Sequence, residues 1–546
     1  MEYILDGATL PAAGTYKIGA DALYGDEAKR VLAVRIGGET LPLTDTPRTG
    51  ETAESITYES EEGRRIYERS VRFVFLLAAR RLFPGKRVRL EHSMGHGVYA
   101  TIDAGHPLTA GKVAALEKEM RKIVEDDLPF DLRFLSRDDA IAYFQADGQT
   151  DKVELLKCRP YEHFQLYECG GMYEYFYGVM VPSTGYLPQF KLQFYLPGLV
   201  ILLPRPDGQM PPFQDMPKLA ATFAKTARWN RILRCANVAD LNRMTRERTL
   251  RELIRVSEAL HEKSVSAIAD QFVDSGARVI LIAGPSSSGK TTFAHRLSIA
   301  LRVNGLEPVK LSLDDYYLNR DQIPRDENGE VDLERLDTLD VPLFNEHLVE
   351  LLQGAEVETP TFDFKTGRRA EETHKMKIRP DQPILIEGIH GLNDSLTSEV
   401  ARRMKFKIYI SALTALNLDD HNRIRTTDAR LLRRLVRDHL FRGTPPEETL
   451  AMWGSVRRGE EAYIFPYQEE ADVMFNSSLV YELCILKKYI YPMLSAMKPE
   501  HPQYTLAKRL VKFLNYIQTS DVEDEIPPNS ILREFIGGCC FYKNLD

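Results

Sequence analysis

The feature that most constrains this chain is a glycine-rich segment between an apolar run and a helical run. Gly284–Thr292 reads GPSSSGKTT and matches the pattern G-x-x-x-x-G-K-[ST]. It follows the apolar run Val279–Ala283 directly, and apolar residues at helical spacing come after it from Phe293 to Leu301. Backbone N–H groups of such a loop, together with the N-terminus of the next helix, surround phosphate oxygens. The sequence therefore predicts a strand, a phosphate-binding loop and a helix, in that order.

Two side chains of this loop are expected to act on a bound nucleoside triphosphate. Lys290 should reach the β- and γ-phosphates, and Thr291 should place its hydroxyl on Mg²⁺. The expected nucleotide-binding residues are Gly284, Ser286, Ser287, Ser288, Gly289, Lys290, Thr291 and Thr292.

Acidic residues follow the two neighbouring apolar strands. Asp314 and Asp315 stand at the end of the second predicted strand, Val309–Leu313, and Glu387 ends the run Ile384–Ile386. Ligands of α/β proteins lie at the carboxyl ends of parallel strands, where one of the two aspartates can accept the proton of an attacking hydroxyl. Glu387 is placed to hold Mg²⁺ directly or through water. Helix capping by the aspartates and an ordinary strand-terminal glutamate are the structural alternatives.

A basic run follows later, at Arg430–Asp438, with arginines at spacings of three and four residues. A helix of this kind can close over phosphates and stabilise charge in a transition state. A solvated basic face is the alternative. The arginines therefore enter the candidate site only if the helix lies beside the loop.

The order of apolar segments indicates two kinds of architecture. After Ala277, apolar strands alternate with helices, which predicts a parallel sheet covered by helices. The predicted strands are Val279–Ala283, Val309–Leu313, Ile384–Ile386 and Phe406–Ile410. Before Leu203, short strands and amphipathic helices such as Glu62–Leu82 predict an α+β region. The Pro-rich stretch Leu203–Pro212 marks the boundary.

Bulk composition narrows the function classes. The formal net charge is −8 and the pI is about 5.9, which argues against holding nucleic acid by bulk electrostatics. The six cysteines have no metal-ligand spacing and are expected to be reduced thiols. No signal-peptide pattern and no long apolar window are found, so we expect a cytoplasmic protein without a membrane segment.

The C-terminal half, from about 277 to 479, resembles the uridine kinase and phosphoribulokinase family. The resemblance rests on the loop, on SLDDYY at 312–317, on FDF at 362–364, on IEG at 386–388 and on the run ending at Asp438. It implies an α/β P-loop kinase fold using ATP and Mg²⁺. It also implies roles for individual residues: Lys290 on the phosphates, Asp314 as the base, Arg434 and Arg437 in a lid, Asp340 near ribose hydroxyls, Phe362 and Asp363 at the substrate, and Thr291 and Glu387 at the metal.

The N-terminal half resembles the corresponding region of threonyl-tRNA synthetase. The matching segments include YERS at 67–70, RLFPG at 81–85, FLSRD at 134–138 and VPSTG at 181–185. The resemblance implies a TGS-like β-grasp module followed by an α+β editing-like domain. Its histidine and cysteine positions are replaced here by Arg69, Phe73, Phe176 and Met180, none of which ligates zinc usefully or acts as a base at neutral pH. We therefore expect no tRNA deacylation and expect these side chains to pack.

The pair His92 and His96 is expected to lie at a turn between two strands and not to form a metal site. Gly95 and Gly97 favour the turn. No third ligand is arranged as in a metalloprotease helix.

These observations divide the chain into five parts and leave three functions open. The parts are a TGS-like module (1–60), an editing-like domain (61–203), a Pro-rich boundary and helical linker (204–276), the kinase-like domain (277–480) and a C-terminal helical segment (481–546). The leading hypothesis is ATP-dependent phosphoryl transfer to a nucleoside 5′-hydroxyl by a homo-oligomer. Because Phe362 and Met452 depart from the pyrimidine-reading pattern, another small hydroxyl compound is the first alternative. An ATP-gated RNA-binding regulatory module is the second, although nucleic acid is not the favoured partner.

Overall fold

A computed structural model describes residues 2–159, 161–176, 178–324, 334–363, 366–414 and 416–541. Within these ranges the chain has an α+β N-terminal half and an α/β C-terminal half, as expected from the sequence. No helix of the described part is long and apolar enough to cross a bilayer.

The N-terminus forms a small five-stranded sheet with one helix. Its elements are β1 (Glu2–Leu5), β2 (Ala8–Pro11), α1 (Tyr16–Tyr24), β3 (Val31–Ile36), β4 (Glu39–Pro42) and β5 (Thr52–Thr57). The strand order is β2-β1-β5-β3-β4, and only β1 and β5 pair in parallel. Alternating apolar residues such as Tyr3 and Leu5 face the core of this module.

The next part is organised around one buried helix. Helix α2 (Glu61–Leu82) begins at Ser60, whose hydroxyl accepts a hydrogen bond from the N–H of Gly63 at 3.0 Å. The elements that follow are β6 (Val88–Met94), β7 (Gly97–Ile102), α3 (Ala110–Glu125), β8 (Asp131–Ser136), α4 (Arg137–Ala146), α5 (Thr150–Lys157), β9 (His163–Cys169), β10 (Met172–Glu174), β11 (Lys191–Tyr195) and β12 (Gly198–Leu202). They form two antiparallel sheets, β11-β12-β7-β6 and β10-β9-β8.

Three helices connect the halves: α6 (Pro217–Leu233), α7 (Val238–Arg246) and α8 (Leu250–Ser275). Helix α8 ends where the sequence predicts, because Gly276 adopts the left-handed conformation (φ 65°) that terminates a helix.

The C-terminal half is built on a five-stranded parallel sheet in the order β14-β19-β13-β20-β21. Four of its strands match the predicted apolar runs, whereas the short fifth strand was not predicted. The elements are β13 (Val279–Ala283), α9 (Lys290–Val303), β14 (Val309–Ser312), α10 (Val341–Leu352), β15 (Glu356–Thr359), β16 (Phe362–Asp363), β17 (Arg368–Arg369), β18 (His374–Lys377), β19 (Ile384–Glu387), β20 (Lys405–Ser411), α11 (Thr426–Arg442), α12 (Pro446–Tyr463), β21 (Val473–Asn476), α13 (Glu482–Ser495), α14 (Tyr504–Leu514) and α15 (Arg533–Ile536).

The segment after residue 480 contacts both halves of the molecule. Ile531 and Phe535 are fully buried in the apolar core beside α9 and the sheet. Thr505 donates a hydrogen bond to the carbonyl of Gly38, and Lys508 forms an ion pair with Glu39. This segment therefore links the kinase-like core to the first sheet.

The two halves also meet at residues 417–428, which lead into α11. Lys152 lies 2.7 Å from Glu174 and 3.5 Å from Asp419, and His421 Nδ1 lies 2.6 Å from Glu174. These groups are buried or nearly so, and Asn422 donates to both Asp419 oxygens at 2.9 and 3.0 Å. Buried charges of this kind are tolerated only when paired and hydrogen-bonded. The contact therefore holds residues 417–428 in one position.

We predict that acidification weakens this junction. Burial alone would raise the pKa of Glu174, but Lys152 and His421 outweigh burial and lower it to about 2 from an ordinary 4.5. A carboxylate whose pKa is lower in the folded than in the unfolded state stabilises the fold at pH values above its unfolded pKa. This stabilisation is lost as the pH falls through the folded pKa. Glu174 should therefore contribute about 3 kcal/mol at neutral pH, disappearing between pH 4.5 and about 2.

The measurement is the urea midpoint of wild type, Glu174→Gln and the exposed control Glu125→Gln from neutral pH downward. Glu174→Gln should be less stable near pH 7 and less sensitive to acid, while the control follows wild type. Parallel pH curves for wild type and Glu174→Gln would contradict the linkage.

Candidate functional site

The predicted loop lies between the central strand and α9. Gly289 has φ +84° at the start of α9, and Ser287 also has a positive φ of 58°. A Cβ on Gly284 would lie 1.9 Å from the carbonyl oxygen of Ile410, so only glycine fits where the loop crosses β20. Because the strand is central in a parallel sheet, the loop opens at the sheet's carboxyl edge.

Polar groups of the loop are concentrated at its inner surface. The Lys290 ammonium donates to the carbonyls of Gly284 at 2.8 Å and Pro285 at 3.2 Å, and burial lowers the pKa of Lys290 from its ordinary value. Within the described residues, the hydroxyls of Ser287 and Ser288 are buried without a hydrogen-bond partner. Buried polar groups are normally satisfied. Their orphaned state fits a loop built to take a phosphate ligand.

Thr291 and Glu387, the two expected metal-site residues, lie together. The Thr291 hydroxyl donates to Glu387 Oε1 at 2.7 Å, and Lys310 Nζ lies 3.9 Å from Glu387 Oε2. Glu387 Oε2 is buried and has no hydrogen-bond partner in the described part of the chain. Mg²⁺ prefers oxygen ligands and is commonly held by one or two protein groups plus substrate phosphates. These two residues fit that requirement, whereas no cluster of three or more His, Cys, Asp or Glu residues suited to a metal occurs in the described ranges.

The two aspartates after β14 have different surroundings. Asp315 Oδ1 accepts a hydrogen bond from the Phe362 N–H at 3.4 Å, whereas no side-chain hydrogen bond of Asp314 occurs within the described residues. Asp314 is exposed on one side, while neighbouring protein atoms partly desolvate its carboxyl. This desolvation, followed by repulsion from Glu387, raises the pKa of Asp314, and Lys290 opposes the rise. Asp314 therefore lies close enough to Glu387 and Lys290 for both charges to act on its carboxyl.

Helix α11 does lie beside the loop. Arg434 Nη1 donates to the Ser286 hydroxyl at 3.0 Å, and its Nε lies 3.2 Å from Asp438. Arg437 forms an ion pair with Asp438, with Nη2 2.9 Å from Oδ1. Of the two expected lid arginines, Arg434 reaches the loop and Arg437 is held by its neighbour on the helix.

Two further arginines of α11 hold the loop backbone, a role that the sequence analysis did not assign to them. Arg430 donates to the Ser286 carbonyl at 3.0 Å and pairs with Glu460, with one contact at 2.7 Å. Arg430 and Glu460 are each 1% exposed, and the Ser286 N–H donates to the same carboxylate at 3.0 Å. Arg433 donates to the Ser287 carbonyl at 3.4 Å.

The remaining contacts of Arg433 tie the loop to α13. Its guanidinium lies 2.5 Å from Glu482 and donates to the Ser477 carbonyl at 2.7 Å. Thr292 is held from the C-terminal segment, because its hydroxyl donates to Glu534 Oε2 at 2.7 Å. The partner acids lie far along the chain, so spacing within α11 gave no signal of these pairs.

The expected acceptor-side residues lie around the β16–β17 hairpin. Asp340 accepts from the Leu343 N–H at 3.2 Å and lies 3.1 Å from Arg369, so both of its oxygens have structural partners. The Phe362 ring lies 5.6 Å from that of Tyr317. Asp363 accepts a hydrogen bond from the Thr366 hydroxyl at 3.1 Å. Phe364 of the FDF motif lies outside the described residues.

The altered editing positions of the N-terminal half form a packed interior. Arg69 donates to the carbonyl of Val179, and Phe73 is fully buried, 6.0 Å from the Phe176 ring. Met180 is also buried. Apolar packing therefore occupies three of these positions, and the buried Arg69 is hydrogen-bonded at the fourth.

The pair His92 and His96 flanks a turn. His92 stacks on Phe223 with ring centroids 3.6 Å apart, and burial lowers its pKa to about 3. His96 lies in the turn between β6 and β7. His92 is therefore a neutral core residue.

We predict that Glu460 is essential for holding the loop. Glu460→Gln leaves the buried Arg430 without its anion, which should cost about 3–5 kcal/mol of unfolding free energy. The matched control is Glu461→Gln, whose side chain is 62% exposed and pairs with Arg457; it should change stability by about 0.5 kcal/mol at most. Urea unfolding of both variants provides the measurement, and equal losses in the two would contradict the role of Glu460.

The C-terminal half is similar to known proteins. Residues 279–482 match the model of the "Phosphoribulokinase / Uridine kinase family". Solved structures similar to the chain include one described as a "possible uridine kinase" from Bacillus stearothermophilus, 20% identical with a TM-score of 0.26, covering 39% of this chain and 96% of that one. Another is D-glycerate 3-kinase from Cryptococcus neoformans, 16% identical with a TM-score of 0.20, covering 48% and 88%.

The N-terminal half matches a different group. Threonine–tRNA ligase of Nitratidesulfovibrio vulgaris is 33% identical over 196 residues, covering 35% of this chain and 30% of the ligase. That of Oleidesulfovibrio alaskensis is 37% identical over 172 residues, covering 31% and 27%. The chain thus spans less than a third of these relatives' length. Its C-terminal half thus contains a region that matches the model of the phosphoribulokinase/uridine kinase family, and its N-terminal half is similar to threonine–tRNA ligases.

Proposed function

We propose that this protein transfers the γ-phosphoryl group of ATP to a hydroxyl of a small molecule, and that the acceptor is a nucleoside with its 5′-hydroxyl. The observation that carries the proposal is the convergence of Asp314, Lys290 and Glu387 on one cleft at the carboxyl edge of the sheet. Glu387 pairs with Ser312, two residues before Asp314, and accepts a hydrogen bond at 2.7 Å from Thr291, the residue after Lys290. The charges of Glu387 and Lys290 both act on the pKa of Asp314. A loop that merely bound a nucleotide would not require a carboxylate there.

In this proposal each group has one task. Lys290 and the loop N–H groups bind the triphosphate, and Arg434 adds positive charge beside Ser286. Mg²⁺, where bound by Thr291 and Glu387, supplies charge neutralisation on phosphate oxygens. Asp314 accepts the proton of the acceptor hydroxyl. Because its carboxyl is partly desolvated, its pKa is raised, which makes it a better base than an ordinary aspartate.

The proposed acceptor rests on the family match and on Phe362, whose ring lies beside Tyr317 at the cleft. An aromatic wall can stack on a nucleobase. Asp340 would contact ribose only by sharing an oxygen already bound to Arg369 or Leu343. A smaller polyol or sugar phosphate as acceptor needs no base wall and is the second candidate.

We predict that Asp314→Asn lowers kcat for ADP release about a hundredfold or more, because the general base is removed. The neighbouring Asp315→Asn is the matched control, since its carboxyl is tied to the Phe362 backbone, and it should change kcat by less than about tenfold. Full turnover by Asp314→Asn would remove this residue from the role of base.

We also predict that a nucleoside gives the highest kcat/KM in an ADP-release assay offering nucleosides, sugar phosphates and simple polyols in parallel. A higher value for a non-nucleoside would refute the nucleoside assignment and leave phosphoryl transfer intact. Salt-sensitive tRNA binding, with no ADP release for any acceptor, would refute the kinase proposal itself.

A further inference from the structure

A cavity lies where the synthetase-like half meets residues 417–428. Its volume is about 270 Å³, smaller than the usual range for a drug-sized ligand. It is walled on one side by residues of α2, the loop after it and the loop before α5, and on the other by Asp420 and His421. The altered editing residues Phe73, Phe176 and Met180 do not line it. The cavity is therefore separate from that packed region and from the phosphate loop.

The charges around this cavity are balanced in sign. Three cations line it, Arg80, Lys86 and Arg87, together with three carboxylates, Asp147, Asp151 and Asp420. Arg80 pairs with Asp147, and Arg87 Nη2 lies 2.8 Å from Asp420. A free anion would meet three carboxylates, and a free cation would meet three positive groups. Complementarity therefore favours a ligand that carries both signs.

The cavity also offers an apolar surface and charged groups that can bind a further ligand group. Leu76, Phe83 and Met172 provide an apolar surface. An ionised carboxylate has about four acceptor positions, so Asp147 can accept an ammonium while bound to Arg80 and Gln149. Lys86 is exposed and forms no ion pair within the described residues, which leaves its three donors for a carboxylate. An ammonium, a carboxylate and a small apolar body together describe an α-amino acid.

The cavity connects to the phosphate loop through a short stretch of chain. The Asp420 N–H donates to Asp151 at 2.7 Å, and the Asp420 carbonyl accepts from the Leu90 N–H at 2.8 Å. Just beyond, Arg423 and Arg425 pair with the buried Glu68 at 3.1 and 2.7 Å.

Arg425 is the N-cap of α11, the helix whose Arg430 and Arg433 hold the loop carbonyls. A ligand that contacts Asp420 therefore lies beside the segment that enters this helix.

We propose that this cavity binds a free α-amino acid and that its occupancy changes ATP affinity through residues 420–433. The site belongs to the synthetase-like half but is completed by the kinase-like half. Allostery of this kind requires a ligand that interacts differently with two positions of the connecting segment. Binding to the cavity does not depend on the kinase proposal.

The binding experiment is isothermal titration calorimetry of the full-length protein with the standard L-amino acids. For any that binds, the N-acetyl and carboxamide derivatives are tested next, because each removes one charge. Both derivatives should bind at least about tenfold more weakly. Absence of binding by every amino acid at millimolar concentration, or equal binding of a derivative, would overturn the proposal.

The site is checked with Asp147→Asn, which should raise the Kd about tenfold or more. Its matched control is Asp131→Asn, an exposed aspartate paired with Arg133 outside the cavity, which should leave the Kd unchanged. Thermal unfolding of the ligand-free variants verifies that both fold. Equal Kd values for wild type and a folded Asp147→Asn would place binding elsewhere and overturn the proposal.

The coupling is measured as the Kd for ATP with and without saturating amino acid. We expect a change of about fivefold or more in wild type. Glu68→Gln, which does not line the cavity, should keep amino-acid binding and reduce this change. Amino-acid binding with no effect on ATP affinity would overturn the coupling, whereas loss of ADP release alone would affect only the kinase proposal.

Discussion

The structure of the candidate site depends on the buried arginines of α11. Arg430 and Arg433 are almost completely removed from solvent, and each joins a loop carbonyl to a carboxylate on another helix, Glu460 on α12 and Glu482 on α13. Such charges are costly to bury unless each is paired with an opposite charge and further hydrogen bonds. The loop, α11, α12 and α13 must therefore pack together for any one of them to keep its position.

This constraint extends into the N-terminal half. Residues 417–425 enter α11 through buried contacts with Glu174 and Glu68, and α14 touches the first sheet. Helix α2 carries two of the altered editing positions, Arg69 and Phe73, which are packed in the interior. The same helix contributes Glu68 to this junction. The synthetase-like half thus supports the element that carries the loop.

The sequence predicted the loop, the strands around it and the parallel sheet because these depend on local patterns: apolar runs, glycines and helix ends. It did not predict β21, a strand of four residues, or the roles of Glu460, Glu482 and Glu534, because those contacts join residues distant in the chain. Asp314 and Asp315 were distinguishable only by resemblance; the structure separates them through the Phe362 N–H bonded to Asp315.

The central claim is that this cleft performs phosphoryl transfer and does not merely bind a nucleotide. Its most direct test follows labelled γ-phosphate from ATP into a mixture of small-molecule hydroxyl compounds, using wild type and Lys290→Met. Wild type should place the label on an organic acceptor, and Lys290→Met should not. Label recovered only as ATP or inorganic phosphate, at equal rates for both proteins, would contradict the claim.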